Sequence, residues 1–265
     1  ERHLGLVAAG ELGDAMARLD AAADALAATP LGRLPIGRLP RIHFDADAFQ
    51  QATATGPLLA GRTVAIARDA AFSFIYPANL DVLAALGARP AFFSPLAGDA
   101  LPPCDAVWLP GGYPELHAAA LAACEPLRAA LSAHVAQGRP VWAECGGMMA
   151  LFDELVGTDG QVHRMWGLLP GRVTMQQRLA GLGPQQLRIG RHMLRGHTFH
   201  YSRCETPLSP AARTARPGAR DAAGTGEAVY VRGPVRASYF HAWFASSPEG
   251  AARLFGAEPV EVSDG

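Results

Sequence analysis

The sequence contains no lysine, and all 23 of its basic residues are arginines. A P-loop uses a lysine to bind the β- and γ-phosphates of a nucleotide, and a Schiff-base enzyme uses a lysine amine as its nucleophile. Both kinds of site are therefore excluded from this chain. The arginines are balanced by 24 acidic residues, which leaves a net charge of −1. A nucleic-acid-binding protein needs a net basic face that displaces counterions, so the charge argues against nucleic acid as a partner.

Long apolar runs and clustered cysteines are also missing. No apolar stretch approaches the roughly 20 residues that a membrane span requires, and the first residues lack the basic start and apolar segment of a signal peptide. The four cysteines, Cys104, Cys124, Cys145 and Cys204, form no C-x-x-C pair and no zinc-like cluster. These features predict a cytoplasmic protein with free thiols, no membrane partner and no metal site.

Apolar patterning divides the 265 residues into three segments. Residues 1–29 read as a short strand, Leu4–Val7, followed by an alanine-rich helix from about Glu11 to Ala28. Residues 30–61 contain glycine, proline and polar residues without a period, which predicts a linker. In residues 62–265 apolar strands alternate with helices, which predicts an α/β domain whose mostly parallel sheet is covered on both faces. Because the first segment lacks an initial methionine and begins within strand-like sequence, we expect the chain to continue a longer protein.

The pattern also predicts individual elements. One helical turn is expected in the linker, near Ala46–Gln51. Strands are predicted at Thr63–Ala67, Ala91–Phe93, Ala106–Leu109, Pro140–Ala143, Leu168–Met175, Gln186–Leu194, Thr198–Tyr201, Ala228–Val231 and Val235–Phe240. Helices are predicted at Asn79–Leu86, from Pro114 to about Gln137, from the glycines after Cys145 to Leu155, and at Pro248–Phe255.

The strongest single motif is an apolar strand that leads into Cys145, Gly146, Gly147 and a helix. This order is typical of a nucleophile elbow, in which a sharp, strained turn requires small neighbours. The start of the helix is expected to lower the pKa of the Cys145 thiol and to direct backbone N–H groups at a developing oxyanion. In the alternative interpretation, Cys145 is a buried thiol and the glycines merely turn the chain.

Two further features could complete a site with this cysteine. The run Leu109–Glu115 is a second strand end that passes through two glycines into a helix, and such turns meet at the carboxyl edge of an open α/β sheet. It could supply a second oxyanion donor. His241 follows the end of a predicted strand and is the leading candidate for the general base of a cysteine nucleophile. Strand alternation allows at most one of His197 and His200 on the same face.

A series of short motifs accompanies these residues along the chain. They are Asp69–Tyr76 with Asn79 and Leu80, Phe93–Leu96, Leu109–Leu116, Ala143–Gly147, Arg195–Ser202, and Ala237–Phe244 with Ser247 and Pro248. The set resembles the class I glutamine amidotransferase superfamily and, more closely, the C-terminal domain of the cobyrinate/hydrogenobyrinate a,c-diamide synthase family. The resemblance implies a flavodoxin-like amidotransferase fold for residues 62–265. Residues 1–29 resemble the last strand and helix of that family's N-terminal synthetase domain.

The resemblance also implies a reaction. The C-terminal domain of such an enzyme hydrolyses glutamine, and the ammonia passes to an N-terminal P-loop domain, where ATP and Mg²⁺ activate the a and c carboxylates of a corrin ring in cobalamin biosynthesis. It implies that Cys145 is the nucleophile, that His241 is the base and later the acid, and that the N–H groups of Gly112 and Gly146 form the oxyanion hole. Residue 243, where many members of the superfamily have a glutamate, is Trp243; a Cys–His dyad is therefore expected.

The remaining expectations concern ligands, partners and alternatives. The resemblance assigns substrate binding to Phe74, Tyr76, Tyr113, Arg195, His197 and His200. It implies glutamine, a corrinoid acid and the protein's own N-terminal synthetase domain as partners, with a homodimer left open, and no cofactor in the glutaminase domain itself. Alternative functions are amidation of another tetrapyrrole such as nickel-sirohydrochlorin, a stand-alone cysteine hydrolase on the same fold, and a non-catalytic binding module.

Overall fold

The structure is a computed structural model, and it describes residues 12–43, 56–218 and 226–256. The chain separates into two compact units, Glu1–Ala46 and Asp47–Gly265. The strand expected at Leu4–Val7 and the helical turn expected at Ala46–Gln51 lie outside the described residues.

The first unit contains one long helix, α1 (Ala15–Ala27), within the range predicted from sequence. It ends where the Thr29 hydroxyl donates to the carbonyl of Leu26 at 2.7 Å, just before Pro30. A short 3₁₀ turn, Ile36–Arg38, follows in the segment predicted as a linker. The apolar side chains of α1, including Met16 and Leu19, are exposed.

The second unit contains fourteen strands and five helices within the described residues. The strands are β1 (Thr63–Ala67), β2 (Arg89–Phe93), β3 (Ala106–Leu109), β4 (Val141–Glu144), β5 (Phe152–Val156), β6 (Val162–Arg164), β7 (Leu169–Met175), β8 (Gly181–Ile189), β9 (His192–His200), β10 (Ser202–Glu205), β11 (Ala212–Arg213), β12 (Ala228–Arg232), β13 (Val235–Ser238) and β14 (Phe240–Trp243). The helices are α2 (Pro77–Ala85), α3 (Ala118–Ala123), α4 (Glu125–Ala136), α5 (Gly146–Leu151) and α6 (Pro248–Phe255).

A seven-stranded sheet forms the centre of this unit, in the order β11-β12-β13-β4-β3-β1-β2. The five strands from β13 to β2 are parallel, and β12 and β11 complete one edge in antiparallel fashion. The unit has two smaller sheets. One has four strands in the order β10-β7-β5-β6, and the other has three antiparallel strands in the order β14-β9-β8. The expected α/β fold with a mostly parallel central sheet is confirmed.

Two buried clusters cover the two faces of the central sheet, because neighbouring residues of a strand point to opposite faces. Val107 of β3 and Val141 of β4 belong to one cluster. The residues that follow them, Trp108 and Trp142, belong to the other. This two-sided burial explains why β3 and β4 are apolar throughout their lengths rather than alternating.

The prediction of one continuous helix from Pro114 to about Gln137 is wrong. The chain forms a 3₁₀ turn, Pro114–His117, then α3 and α4, with Cys124 between them at φ −82° and ψ 62°. Pro126 is the second residue of α4. A continuous helix would set its ring against the carbonyl four residues earlier and would lose a hydrogen bond, so the helix restarts just before the proline.

The helix predicted to reach Leu155 is also wrong, because α5 ends at Leu151 and β5 begins at Phe152 with ψ 170°. This strand pairs with β6 and β7. The pairing is tertiary, and no local pattern in this short apolar run distinguishes a strand from the end of a helix.

Two predicted strands are in fact broken. Gln186–Leu194 spans the turn of a hairpin in which β8 and β9 pair from Gly181 and His200 to Ile189 and His192, with Gly190 at φ +56° in the turn. Val235–Phe240 divides at Tyr239 into β13, which joins the central sheet, and β14, which joins β9. The sequence also gave no prediction for β6, β10 and β11.

Candidate active site

Cys145 occupies the sharp turn between β4 and α5. It has φ +44° and ψ −106°, and it is the one non-glycine residue with positive φ in the described part of the chain. Such a conformation costs roughly 1–3 kcal/mol and persists only when the surroundings impose it. Here the Cys145 N–H donates to the carbonyl of Ser238 at 2.8 Å, and its carbonyl accepts from the N–H of Met149 at 2.9 Å. The central sheet and α5 together hold the strained turn.

The turn after Cys145 packs directly against the turn at Gly111 and Gly112. A Cβ atom on Gly146 would lie 2.9 Å from the backbone nitrogen of Gly112 and 2.8 Å from Cδ of Pro114. Only glycine permits this approach, since real Cβ contacts are not this short. The backbones of residues 112 and 146, whose N–H groups the resemblance assigns to an oxyanion hole, are therefore neighbours.

His241 lies against the other glycine of that turn. A Cβ atom on Gly111 would lie 2.3 Å from Cε1 and 3.0 Å from Nδ1 of the His241 ring. The His197 ring stacks on it, with centroids 4.8 Å apart and planes 13° apart. Contrary to the prediction that His241 directly follows the strand of Val235, it is the second residue of the separate strand β14, because the chain bends at Tyr239.

Burial keeps both candidate reactive groups uncharged. It raises the pKa of the Cys145 thiol, and the nearby negative charge of Glu115 adds to the rise. Burial, together with the smaller effects of His197 and His200, lowers the pKa of the His241 imidazole to about 3. The expectation that the helix start would lower the thiol pKa is wrong for this structure, because loss of solvation outweighs the backbone hydrogen bond at Gly146.

The thiol of Cys145 is 3.9 Å from the carbonyl oxygen of Phe199, to which it donates. The S–H group is a weak donor, and in this contact the sulfur keeps its proton. The arrangement is thus a protonated cysteine and a neutral imidazole, which can react only if the proton leaves the sulfur during the attack.

Four of the six predicted binding residues gather around His241. Phe74 has its ring 6.1 Å from that of His241 and 5.2 Å from that of Tyr113, to which it is edge-on. The Tyr76 hydroxyl is 3.2 Å from Nδ1 of His197. These aromatic and imidazole rings form a cluster that includes His241.

The other two predicted binding residues are placed differently. Arg195 has an exposed side chain, and it stands opposite Trp243 in the pairing of β9 with β14. His200 is buried with its ring stacked 3.6 Å from that of Tyr239. Its Nδ1 is 3.0 Å from the carbonyl of Ser202, and its Nε2 is 3.2 Å from the Glu227 carboxylate. Of the two β9 histidines predicted to bind substrate, the structure thus brings His197 to His241 and turns His200 toward Glu227.

Sequence reasoning missed two polar residues beside this site, Glu144 and Asn79. Both side chains are buried, and both hydrogen-bond to the backbone of Ala242, the residue after His241. Burial raises the pKa of Glu144 to about 8. The available signal was a carboxylate at the end of an otherwise apolar strand, which is costly unless it has specific partners.

The described residues add two negative findings. Among them, no group of three or more histidine, cysteine or acidic side chains is arranged to hold a metal ion. Within the same ranges, none of the helices has the length and apolar character needed to cross a membrane. All four cysteines are free thiols, as expected.

Comparison with known proteins relates this site to a family. A family model described as the CobB/CobQ-like glutamine amidotransferase domain matches residues 63–249. Hydrogenobyrinate a,c-diamide synthase of Stutzerimonas stutzeri is 50% identical over 253 residues, which cover 96% of this chain and 56% of that protein. Cobyrinate a,c-diamide synthase of Herminiimonas arsenicoxydans is 44% identical over 265 residues, which cover 97% of this chain and 57% of that protein. The chain spans little more than half the length of these relatives.

Proposed function

The chain belongs to the CobB/CobQ-like glutamine amidotransferase domain family, and from this premise we propose that it is the glutaminase part of an ATP-dependent cobyrinate or hydrogenobyrinate a,c-diamide synthase. The observation that carries the proposal is the joint packing of three elements. Cys145 stands on a strained turn, the glycine turn at residues 111 and 112 packs against it, and His241 packs against the same glycine turn.

The proposed reaction begins with two neutral groups. His241 takes the proton from the Cys145 thiol as the sulfur attacks the carboxamide carbon of glutamine. A neutral imidazole is the form that can accept this proton, and the low pKa of His241 keeps it neutral throughout the physiological range. The developing oxyanion accepts hydrogen bonds from the N–H groups of Gly112 and Gly146, whose close approach supports this assignment.

The second half of the cycle reverses the proton movement. The carbon–nitrogen bond breaks, the proton on His241 passes to the leaving nitrogen, and ammonia leaves behind a glutamyl thioester on Cys145. His241 then takes a proton from water as the water oxygen attacks the thioester carbon, and the carbon–sulfur bond breaks as this proton passes from His241 to the Cys145 sulfur, which releases glutamate. Each group ends in its starting protonation state, so the site is ready for another glutamine.

The side chains around the dyad supply the binding surface in this proposal. Tyr113 and Phe74 form an apolar wall next to His241, where the aliphatic part of glutamine would lie. The exposed guanidinium of Arg195 is available for an anionic group of a substrate. We keep His197 as a contact of the dyad and assign His200 to holding Glu227 and Tyr239.

The ammonia acceptor and the nucleotide belong to a region outside this chain. The relatives are nearly twice as long as the matched segment. This chain does not fit ATP and Mg²⁺, since it has no lysine for a P-loop, and its described residues cluster no metal ligands. We propose that residues 1–29 are the end of an N-terminal synthetase domain, residues 30–61 a linker, and residues 62–265 the amidotransferase domain. The exposed apolar residues of α1 support this division, because the rest of that domain would cover them.

The experiment that tests the proposal measures ammonia release from glutamine. It compares Cys145→Ala and His241→Asn with the unmodified protein, in this chain alone and in the full-length protein given ATP and a corrinoid acid. Cys124→Ala is the matched control, because it removes a thiol that lies between α3 and α4. Release that depends on Cys145 and His241, and corrinoid diamide formed from glutamine, is the expected result. Release that persists in Cys145→Ala contradicts the assignment of the nucleophile.

A further inference from the structure

Two buried side chains form hydrogen bonds with the backbone of Ala242, the residue after His241. Oε1 of Glu144 accepts a hydrogen bond from the N–H of Ala242 at 3.2 Å. The Asn79 amide donates to the carbonyl of Ala242 at 2.8 Å and accepts from the N–H of Phe244 at 2.8 Å. Glu144 is 2% exposed and Asn79 is fully buried.

These side-chain hydrogen bonds lie where a second neighbouring strand would otherwise pair with β14. In the described sheet, β14 is an edge strand that pairs only with β9. The backbone groups on its other side are buried, and a buried amide or carbonyl without a partner costs about 1–3 kcal/mol. Glu144 and Asn79 satisfy the N–H and the carbonyl of Ala242, so the position of this residue depends on two side chains from other elements, β4 and α2.

The hydrogen bond between Glu144 and Ala242 also connects the chain segments that carry Cys145 and His241. Glu144 precedes Cys145 in the chain, and Ala242 follows His241, so this hydrogen bond joins the chain neighbours of the two members of the dyad. The acceptor oxygen is itself fixed, because it accepts from the Trp142 indole N–H at 2.7 Å. Nothing comparable comes from Trp243, whose ring is 40% exposed and lies edge-on to Tyr76.

We propose that Glu144 and Asn79 are positioning residues for the dyad: by holding Ala242 they set the distance and orientation of the His241 ring relative to the Cys145 sulfur. This inference rests on the proposed function. It gives a role to a buried carboxyl group at a position where an apolar residue would avoid the cost of desolvation. It also accounts for the orientation of His241 without a third catalytic side chain.

Substitutions that keep or remove one acceptor test the proposal. Glu144→Gln keeps a carbonyl oxygen for Ala242 and Trp142, whereas Glu144→Leu keeps the approximate volume and removes both bonds. Because a shift of about 1 Å in a reacting group costs on the order of 100-fold, we expect kcat for glutamine hydrolysis to fall about 100-fold in Glu144→Leu. The KM for glutamine should change less than about threefold, and Glu144→Gln should restore kcat to within about tenfold of the unmodified value.

Matched variants separate positioning from general stability. Thr206→Val replaces a hydroxyl that donates to the carbonyl of Pro170 in β7 and accepts from the N–H of Leu208, a comparable local role just after β10. It should lower the melting temperature without changing kcat. A folded Glu144→Leu protein with unchanged kcat overturns the proposal, and so does a Glu144→Gln protein as impaired as Glu144→Leu.

A second variant decides the matter if Glu144→Leu does not fold. Asn79→Asp keeps the acceptor for Phe244 and loses the donor to the carbonyl of Ala242. A lower kcat with an unchanged KM supports the proposal, and an unchanged kcat in the folded variant overturns it. Failure of the proposed function is a distinct result, because the unmodified protein would then release no ammonia, or Cys145→Ala would release it equally.

Discussion

Replacing Gly111 by alanine is the sharpest test of where His241 acts. The added Cβ would lie 2.3 Å from Cε1 of the His241 ring, and the backbone of Gly111 does not have the positive φ that would strain alanine. Two carbon atoms settle at about 3.5 Å, so the imidazole must retreat by roughly 1 Å. The ring cannot move freely, since His197 stacks on it. A displacement of that size costs on the order of 100-fold in the chemical step.

The assay is steady-state glutamine hydrolysis with kcat and KM determined separately, alongside thermal unfolding. We expect kcat to fall about 100-fold while the KM for glutamine stays within about threefold, because the added Cβ would lie 2.3 Å from the His241 ring but 3.3 Å from the Phe74 ring of the binding wall. Gly37→Ala is the control, as a Cβ there meets nothing within 4 Å. If Gly111→Ala folds and hydrolyses glutamine at the unmodified rate, His241 is not the base in the position described here.

Three further predictions concern charge and local stability. Because burial raises the pKa of Glu144 from 4.5 to about 8, the folded protein binds the extra proton, and stability falls by about 1.4 kcal/mol per pH unit as pH rises to 8. Glu144→Gln should therefore gain stability relative to the unmodified protein between pH 6.5 and 8, as measured by urea unfolding; a constant difference would show that Glu144 is already ionised. Since the pKa of His241 is about 3, kcat/KM for glutamine should show no fall between pH 7 and 5.5, and an acid limb near 6.5 would contradict a neutral buried imidazole. The Ser247 hydroxyl accepts from the N–H of Gly250 at the start of α6. Ser247→Ala should therefore lower the free energy of unfolding by about 1 kcal/mol in urea unfolding, with ammonia release unchanged.

The parts of the fold that sequence predicted well are those set by local pattern. Strand β3 and helix α6 have the predicted bounds, because one is a continuous apolar run and the other begins at a proline after serine. The errors arise where distant pairing decides. Phe152 could continue a helix or begin a strand, and only its pairing with Leu169 of β7 resolves the choice.

The candidate site shows the same division. Small residues after Cys145 predicted a tight turn, and the structure has one. The thiol pKa could not be predicted from that motif, because it depends on burial by elements far along the chain, such as β9 with Phe199. His241 could be proposed as the base from its residue type and its place after a predicted strand, but its contact with Gly111 and its stacking on His197 follow only from the assembled sheet edge.

Glu144 illustrates the difference between what the local sequence predicts and what the assembled structure decides. In the sequence it is a charged residue beside a candidate nucleophile, and its natural interpretation is a surface carboxylate at the end of a strand. In the structure it is buried, bonded to the indole of Trp142, and bonded to the backbone that carries His241. A residue two positions after His241 would act on the imidazole ring directly, whereas Glu144 acts on the strand that carries the ring. The dyad can therefore be oriented through its backbone, which leaves residue 243 free to be an exposed tryptophan without loss of the geometry that proton transfer requires.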